Sequence, residues 1–243
     1  MKTVNLYGCE VAALNMNDTL KEIQRRIDEK VVTQHVVINA GKVVLMNKDK
    51  KLADIVKSCP IINADGQSIV WASRILRKPV PERIAGVDLM QELLKLSSNK
   101  GYRVYFFGAT QEVITKLVNK IKKQYPKLEI AGYRNGYFNE EDEVEIIEDM
   151  KNSNADILFV GFSSPKKEYW LNKNIDSINI PFSMGVGGSF DVIAGKTKRA
   201  PSWMQKVGLE WFYRFIQEPK RMWKRYLVGN SKFIYITLKE KFS

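Results

Sequence analysis

Two glycine-bearing turns in the last third of the chain carry residue types that bind anions. They read GFSSPKKEYW and GVGGSFDVIAGKTKRAP, and each follows a short apolar run. In the first turn, Ser164 is predicted as a helix N-cap and Pro165 as the first helical residue. Lys166 and Lys167 then lie at the positive end of the helix dipole, where cations are unfavourable unless a negative ligand binds. The spacing therefore predicts a phosphate site at this helix N-terminus.

Asp65 is the carboxylate best placed for proton transfer. It follows the apolar run 60–64 and precedes Gly66, at the end of a predicted strand and near a predicted helix start. A carboxylate there can act as a general base towards an attacking hydroxyl. An N-cap is an equally good interpretation, so both stay open. Asp191, within GGSFDVIAGK, is interpreted as ligand or helix support.

Familiar nucleotide and metal motifs are incomplete in this chain. Phe190 stands where GVGGSF would need the third glycine of a dinucleotide loop, and also where AGKT would need the first glycine of a P-loop. There is no Asp-x-Asp, and Cys9, Cys59 and the single His35 lack metal-ligand spacing, so neither a metal nor another cofactor is expected. Leaving-group charge would then fall to cations. The candidates are Arg83, Lys166, Lys167, Arg199, Arg214, Arg221, Lys224 and Arg225.

The elements that would position these residues alternate short apolar runs with helix-period segments, a pattern typical of an α/β fold with a mostly parallel sheet flanked by helices, Rossmann-like in layout. Strands are predicted at 36–39, 60–64, 103–107, 128–131, 156–160 and 180–184, with a weaker one at 4–7. Helices are predicted at 18–29, 66–76, 87–98, 111–124, 140–152 and 165–172. His35 is expected in a strand facing the core.

Polar and small residues recur where the predicted strands end. These are Asn39, Asp65, Gly108, Ala109, Thr110, Gly161, Gly185 and Gly187. Ligands bind at the carboxyl edge of open parallel sheets, so we expect these residues to converge on one crevice. Any single glycine could simply make a turn, but their recurrence at one edge favours a site.

The last 48 residues form a basic, aromatic segment that we interpret as a separate unit. They hold twelve Lys or Arg against three Glu, and ten aromatic residues, within a chain of net charge +12. We therefore expect an α/β core at 1–195 and a C-terminal appendage at 196–243. Aromatic spacing predicts an amphipathic helix at 202–217, interrupted by Pro219. It could dock on the core, lie at a membrane surface, or do both.

The quoted segments, together with NADGQSIVWASR, PERIAGVDL, FFGAT and GYRNGYF, resemble the WecG/TagA/CpsF family of bacterial glycosyltransferases from about residue 3 to 235. That resemblance implies inverting, metal-independent transfer of an N-acetylmannosamine-type sugar from a UDP-sugar to polyprenyl-diphosphate-linked N-acetylglucosamine in cell-wall polymer or surface polysaccharide synthesis. It also implies a cytoplasmic enzyme, peripheral on the inner face of the membrane. No run of apolar residues long enough to span a bilayer and no signal-peptide pattern occur in the sequence.

Residue by residue, the resemblance assigns the catalytic aspartate to Asp65 and a catalytic arginine to Arg83. The donor-binding residues it implies, with those inferred from the anion-binding turns, are Asn39, Gly108, Ala109, Thr110, Gly136, Tyr137, Gly161, Pro165, Lys166, Lys167, Gly185, Gly187 and Asp191. Contacts with the acceptor diphosphate or the membrane are expected from Arg214, Arg221, Lys224 and Arg225.

Three positions depart from the family pattern, among them Val37, where many relatives have a hydroxyl residue, and two other functions stay open. Lys167 replaces the usual Gln and Asn135 the usual His, so the identity of the donor sugar is open. The basic aromatic tail is also compatible with a nucleic-acid-binding module or a non-catalytic protein that binds lipid phosphates. We favour the enzyme, with no nucleic-acid partner, and leave self-association open.

Overall fold

The centre of the molecule is a parallel sheet preceded by a small hairpin. The computed structural model describes residues 1–206, 208–217 and 219–242. Within these residues, β1 (Thr3–Leu6) and β2 (Cys9–Ala12) form the antiparallel hairpin. Six parallel strands form the sheet of the described chain: β3 Thr33–Ile38, β4 Ile61–Ala64, β5 Val104–Gly108, β6 Ile130–Arg134, β7 Ile157–Gly161 and β8 Phe182–Gly185. Their order is β4-β3-β8-β7-β5-β6.

Helices connect the strands and cover both faces of the sheet. Their bounds are α1 Met16–Asp28, α2 Ala40–Met46, α3 Lys50–Ser58, α4 Gln67–Ile75, α5 Gly86–Lys100, α6 Gln111–Gln124, α7 Glu143–Asn152, α8 Lys166–Ile178, α9 Ser189–Ile193, α10 Ser202–Lys206, α11 Glu210–Gln217 and α12 Pro219–Phe242. A 3₁₀ turn, Glu140–Asp142, precedes α7. Several starts are set by side-chain caps: Asn15 accepts from Asp18 N at 2.8 Å and Thr110 from Val113 N at 3.3 Å.

The sheet is buried on both sides, which explains why its strands read as continuous apolar runs. Phe106, Phe159 and Phe182 pack on one face with residues of α5 and α6. Phe107 and Leu158 pack on the opposite face with residues of α7 and α8. The predicted α/β class with a parallel sheet is therefore confirmed.

The predicted elements match the structure except in a few places. All six predicted sheet strands are present with shifted ends, while β2, α2, α3 and α9 were not predicted. Ser164 is not the N-cap of α8, because Pro165 holds that position and Lys166 is the first helical residue. The single helix expected at 202–217 is wrong: Gly208, with φ +78°, separates α10 from α11. Glycine adopts this left-handed conformation without steric cost, so the chain turns there.

The end of α12 is fastened to the hairpin. Phe233 and Thr237 are buried, and the Phe233 ring lies 5.8 Å from that of Tyr7. The Tyr7 hydroxyl and Thr237 Oγ1 are 2.8 Å apart, and Tyr7 N donates to Glu240 Oε1 at 2.9 Å. These contacts join the last helix to the core. Across the described ranges, we find no helix with the length and apolarity needed to traverse a bilayer.

His35 lies in β3, inside the core as expected. It is 2 % exposed, and its Nε2 lies 2.8 Å from Asn63 Oδ1. Burial lowers the pKa of His35 to about 4; the hydrogen bond with Asn63 opposes this shift, and the charges of Lys42 and Lys167 add to it. The ring is therefore neutral at physiological pH.

We expect this histidine to make the fold sensitive to acid. Its pKa in the folded protein is below the ordinary 6.5, so the unfolded chain takes up the proton first. The contribution of the neutral ring to the free energy of unfolding is therefore fully present above pH 6.5. It is lost as the pH falls towards 4, by up to roughly 3 kcal/mol. Urea unfolding of wild type and His35→Gln at several pH values checks this: the extra acid-dependent loss should be absent in the variant. Parallel loss in both proteins would contradict it.

Candidate active site

The carboxyl edge of the sheet gathers residues predicted to form the site. Asp65 and Asn39 follow the neighbouring strands β4 and β3, while Gly185, Gly161 and Gly108 end β8, β7 and β5. Neighbouring strands lie about 4.8 Å apart, so three spacings place Asp65 roughly 14 Å from Gly161 along this edge. The edge is long enough for two adjoining subsites.

The loops after β5, β6 and β7 meet at one end of this edge. A methyl group on Gly108, whose φ is +126°, would lie 2.8 Å from Gly161 N, and one on Gly136 would lie 2.5 Å from Phe162 Cε1. Gly136 N donates to Ala109 O at 2.9 Å. Glycine is therefore required at both positions, by the backbone of Gly161 at Gly108 and by the ring of Phe162 at Gly136.

An open cleft of about 600 Å³ lies over this junction. The Tyr137 side chain is 75 % exposed. Lys166 Nζ lies 4.7 Å from the ring centroid of Phe162 and 5.3 Å from that of Phe138. An aromatic ring offers a stacking surface for a planar base, and a lysine offers charge to a phosphate. Residues lining the cleft include Ala109, Gly136, Tyr137, Gly161, Ser163 and Lys166. A smaller cavity of about 280 Å³ lies at the opposite edge, beside Lys30 and Asp156.

Lys167 lies beneath the turn that follows β8. Its side chain is buried, and Nζ donates to Gly185 O at 3.0 Å. A methyl group on Gly185 would lie 2.8 Å from Lys167 Cδ, so glycine makes room for the lysine stem. Burial lowers the pKa of Lys167 to about 8; Lys42 lowers it further, whereas Glu168 and Asp65 raise it. The Lys167 ammonium and the Asp65 carboxylate therefore act on each other across the end of the sheet.

A buried ion pair lies beside Lys167. Lys42 Nζ, from α2, contacts Glu168 Oε1, from α8; the two side chains are 3 % and 2 % exposed. Ser164 Oγ donates to the same carboxylate oxygen at 3.0 Å, and Lys167 Nζ lies 3.9 Å from it. Burial alone would raise the pKa of Glu168, but Lys42 and Lys167 outweigh it, so the pKa is lowered. The cluster holds two ammonium groups around one carboxylate.

The structure tests whether Asp65 is the N-cap of α4. Asp65 N donates to Ile38 O at 2.8 Å, extending the ladder between β3 and β4. Gly66, with φ +101°, is the N-cap of α4, and no side-chain hydrogen bond caps the helix from that position. The N-cap interpretation of Asp65 is therefore wrong. The residue is half-buried at the sheet edge, within the electrostatic range of Lys167.

Arg83 lies near the same end of β4, in a mixed ion cluster. Ile84 N donates to Ala64 O at 2.8 Å, which fixes the segment carrying Arg83 beside the residue that precedes Asp65. Arg83 Nη1 lies 3.3 Å from Glu210 Oε2, in α11.

The cluster continues through Asp88 and Arg199. Arg83 Nη2 lies 3.9 Å from Asp88 Oδ2, and Arg199 Nη2 donates to the same oxygen at 2.8 Å. The cluster thus joins the core to residues 199 and 210, which lie in the predicted appendage.

The remaining donor-site candidates lie on the same edge and mainly make local contacts. Asn39 caps α2 by accepting from Lys42 N at 3.0 Å, and Thr110 caps α6. Asp191, in α9, lies 3.7 Å from Lys196 Nζ. The site of a methyl group on Gly187 is 3.6 Å from Lys167 Nζ. Asn39 and Thr110 therefore support local structure, while Gly187 borders the Lys167 ammonium.

Sequence comparisons with known proteins identify the family of this chain. Residues 4–243 match the model of the Glycosyl transferase WecG/TagA/CpsF family. The chain belongs to this family. An N-acetylglucosaminyldiphosphoundecaprenol N-acetyl-beta-D-mannosaminyltransferase of Bacillus subtilis (strain 168) is 34 % identical over 242 residues, covering 99 % of this chain and 93 % of the relative. Proteins of the same name from Bacillus spizizenii and Staphylococcus aureus (strain MW2) are 36 % identical over 187 and 183 residues, covering 77 % and 75 % of this chain and 71 % and 69 % of the relatives.

Four predicted site residues of this glycosyltransferase cannot be placed side chain by side chain. Arg214 belongs to α11, and Arg221, Lys224 and Arg225 belong to α12, but their side chains lie outside the described part of the chain. Their role in binding the acceptor or the membrane stays a prediction.

Sequence reasoning missed Lys42 and Glu168 as members of the site. Lys42 lies in the otherwise apolar segment AGKVVLM, and a lone lysine in such a run is a weak signal of a buried charge. Glu168 follows two lysines, so it reads as a surface ion-pair partner. In this glycosyltransferase, Lys42 and Glu168 are in contact although 126 positions separate them in the sequence.

Proposed function

We propose that this glycosyltransferase moves an N-acetylmannosamine-type sugar from a UDP-sugar to a polyprenyl-diphosphate-linked N-acetylglucosamine. The observation that carries the proposal is one sheet edge that holds a carboxylate, Asp65, next to the buried ammonium of Lys167 and ends in an open cleft with Tyr137 and Lys166. The names of the relatives, which describe transfer of N-acetyl-beta-D-mannosamine to a diphosphoundecaprenol-linked sugar, support this substrate class.

In the proposed reaction Asp65 accepts the proton of the acceptor hydroxyl while that oxygen attacks the anomeric carbon of the donor. The bond from the anomeric carbon to the diphosphate oxygen breaks, and its electron pair leaves with UDP. Attack opposite the leaving group inverts the configuration. Lys166 then contacts the leaving diphosphate, while the buried Lys167 ammonium and the Arg83 guanidinium add positive charge along the edge, without a divalent ion.

The geometry supports a specific orientation of the donor. The uracil would stack on Tyr137 in the cleft, and the diphosphate would lie at the N-terminus of α8, beside Lys166. The sugar would extend towards Gly187 and Asp65, because the sheet edge runs roughly 14 Å between the two subsites. Fixed cations and a helix N-terminus stabilise a leaving diphosphate where its charge develops.

The acceptor implies work at a membrane, on the inner face, in cell-wall polymer synthesis. A polyprenyl chain stays in the bilayer, so the enzyme must reach a diphosphate at the lipid surface. We assign this contact to the appendage and its cations Arg214, Arg221, Lys224 and Arg225.

UDP release tests the proposal directly. With UDP-N-acetylmannosamine and a polyprenyl-diphosphate N-acetylglucosamine, we expect acceptor-dependent UDP formation that persists in EDTA. A panel of other UDP-sugars is the control for the donor, because Lys167 leaves the sugar open. Absence of turnover together with salt-sensitive binding of single-stranded nucleic acid would favour the nucleic-acid module. Absence of turnover with vesicle binding alone would favour a non-catalytic lipid-phosphate binder.

A further inference from the structure

An apolar patch on the core is exposed close to the proposed active site. Trp71 and Ile75, on α4, are 52 % and 46 % exposed. They are four residues apart and therefore share one face of the helix. The opposite face is buried through Ile69, Val70 and Ala72. A tryptophan and an isoleucine side by side on a water-exposed helix face indicate a surface that contacts something apolar.

Three cations lie close to these two side chains in the sequence. Arg74, Arg77 and Lys78 are exposed, and residues 67–81 contain no Asp or Glu. Glu10, in β2, is within the electrostatic range of Lys78; its pKa is lowered mainly by hydrogen bonds from Asn5 and Thr3, with a smaller effect of Lys78. The patch therefore combines aromatic and aliphatic surface with positive charge, the composition that suits an anionic bilayer surface.

The patch lies beside the acceptor end of the proposed site. Helix α4 begins at Gln67, two residues after Asp65, and the four steps from Gln67 to Trp71 at 1.5 Å each span about 6 Å along the helix axis. A methyl group on Gly208, in the turn between α10 and α11, would lie 2.9 Å from Gln67 Cγ. Gln67 precedes Trp71 by one helical turn, so the appendage reaches the same region of α4.

We propose that Trp71, Arg74, Ile75, Arg77 and Lys78, the α4 patch, dock the core of this protein onto an anionic lipid bilayer. The inference rests on the proposed function, since a lipid-linked acceptor needs Asp65 near the bilayer surface. The two apolar side chains enter the headgroup boundary, and the three cations contact lipid phosphates. The core and the appendage then contact the membrane together, on either side of the acceptor.

A fluorescent label at Ile75 tests contact directly. Both native thiols are buried, and burial raises the pKa of Cys9 to about 11 and of Cys59 to about 12, so an introduced cysteine reacts first. Full-length Ile75→Cys carrying an environment-sensitive nitrobenzoxadiazole should brighten and shift to the blue on adding phosphatidylcholine–phosphatidylglycerol vesicles. Val144→Cys, at a 66 % exposed apolar position on α7, is the matched control and should not respond.

Vesicle sedimentation gives the second measurement. Trp71→Gln with Ile75→Gln should weaken binding to the same vesicles about tenfold, since both side chains lose apolar transfer free energy, while Val144→Gln should bind like wild type. Unchanged binding of the double variant would overturn the proposal. So would a blue shift that appears without vesicles and grows with protein concentration, because the patch would then join two copies of the chain.

These vesicles contain no acceptor, so the binding result does not depend on the proposed reaction. A short-chain, water-soluble diphosphate acceptor tests the reaction separately, and the double variant should turn it over at the wild-type rate. If neither protein turns it over, the proposed function fails while the membrane contact is still decided by the vesicle data. If only the double variant loses this turnover, the residues act in the site and the docking proposal is overturned.

Discussion

Asp65→Asn should lower kcat for sugar transfer by about 100- to 10,000-fold, the usual contribution of a general base. The substitution keeps the size of the side chain and the backbone hydrogen bond from Asp65 N to Ile38 O. It removes the group that would accept the hydroxyl proton, so the loss should appear in the chemical step. Binding of the UDP-sugar should change little, because the proposed nucleotide subsite lies roughly 14 Å away along the sheet edge.

Single-turnover UDP release and donor titration measure these two effects separately. Asp54→Asn, at an exposed position on α3, is the matched control and should leave both unchanged. A variant that keeps kcat within a few-fold of wild type would remove Asp65 from the role of base. A variant with normal kcat and weakened donor binding would assign Asp65 to the donor instead.

The sequence predicts the strands and the edge of the candidate site well, because both depend on local patterns. Buried parallel strands appear as apolar runs, and each run here ends in a glycine or a small polar residue, as at Asn39 and Gly161. Such residues must meet at one edge once the strands are parallel. The resemblance to the family then names Asp65 and Arg83 within that edge.

The order of the strands is not encoded locally. β8 lies between β3 and β7, although 149 positions separate the first residues of β3 and β8. Which strands are neighbours depends on how helices fill both faces, so composition and periodicity do not decide it. The contact between Lys42 and Glu168 cannot be predicted for the same reason, because the two residues are distant in sequence and ordinary in type.

A charge pattern in the sequence predicts the wrong role for a residue when the partner of that residue lies in a distant element. Lys166 and Lys167 both read as ligands for an anion, yet only Lys166 is exposed at the cleft, while Lys167 donates to Gly185 O. Arg83 reads as a free cation for the leaving group, yet it contacts Glu210 in α11. In the proposed mechanism Arg83 must therefore exchange or share this partner when the diphosphate binds, which links the appendage to the catalytic step.

Removing Lys42 should destabilise the fold strongly, because it leaves the Glu168 carboxylate buried without its nearest counter-charge. Lys42→Met keeps most of the length of the side chain but removes the ammonium that contacts Glu168 Oε1. Breaking a buried pair in this way costs about 3–5 kcal/mol of unfolding free energy. Ser164 and the more distant Lys167 still face Glu168, but neither has the direct contact of Lys42.

Urea unfolding of a double-mutant cycle isolates the pair. Lys42→Met with Glu168→Leu should recover most of the stability lost in Lys42→Met, since an apolar pair of similar volume needs no charge compensation. Lys116→Met, which removes an exposed partner of Glu112 on α6, should cause no measurable loss and controls for the chemical change itself. If Lys42→Met is as stable as Lys116→Met, Glu168 is not held as a buried anion.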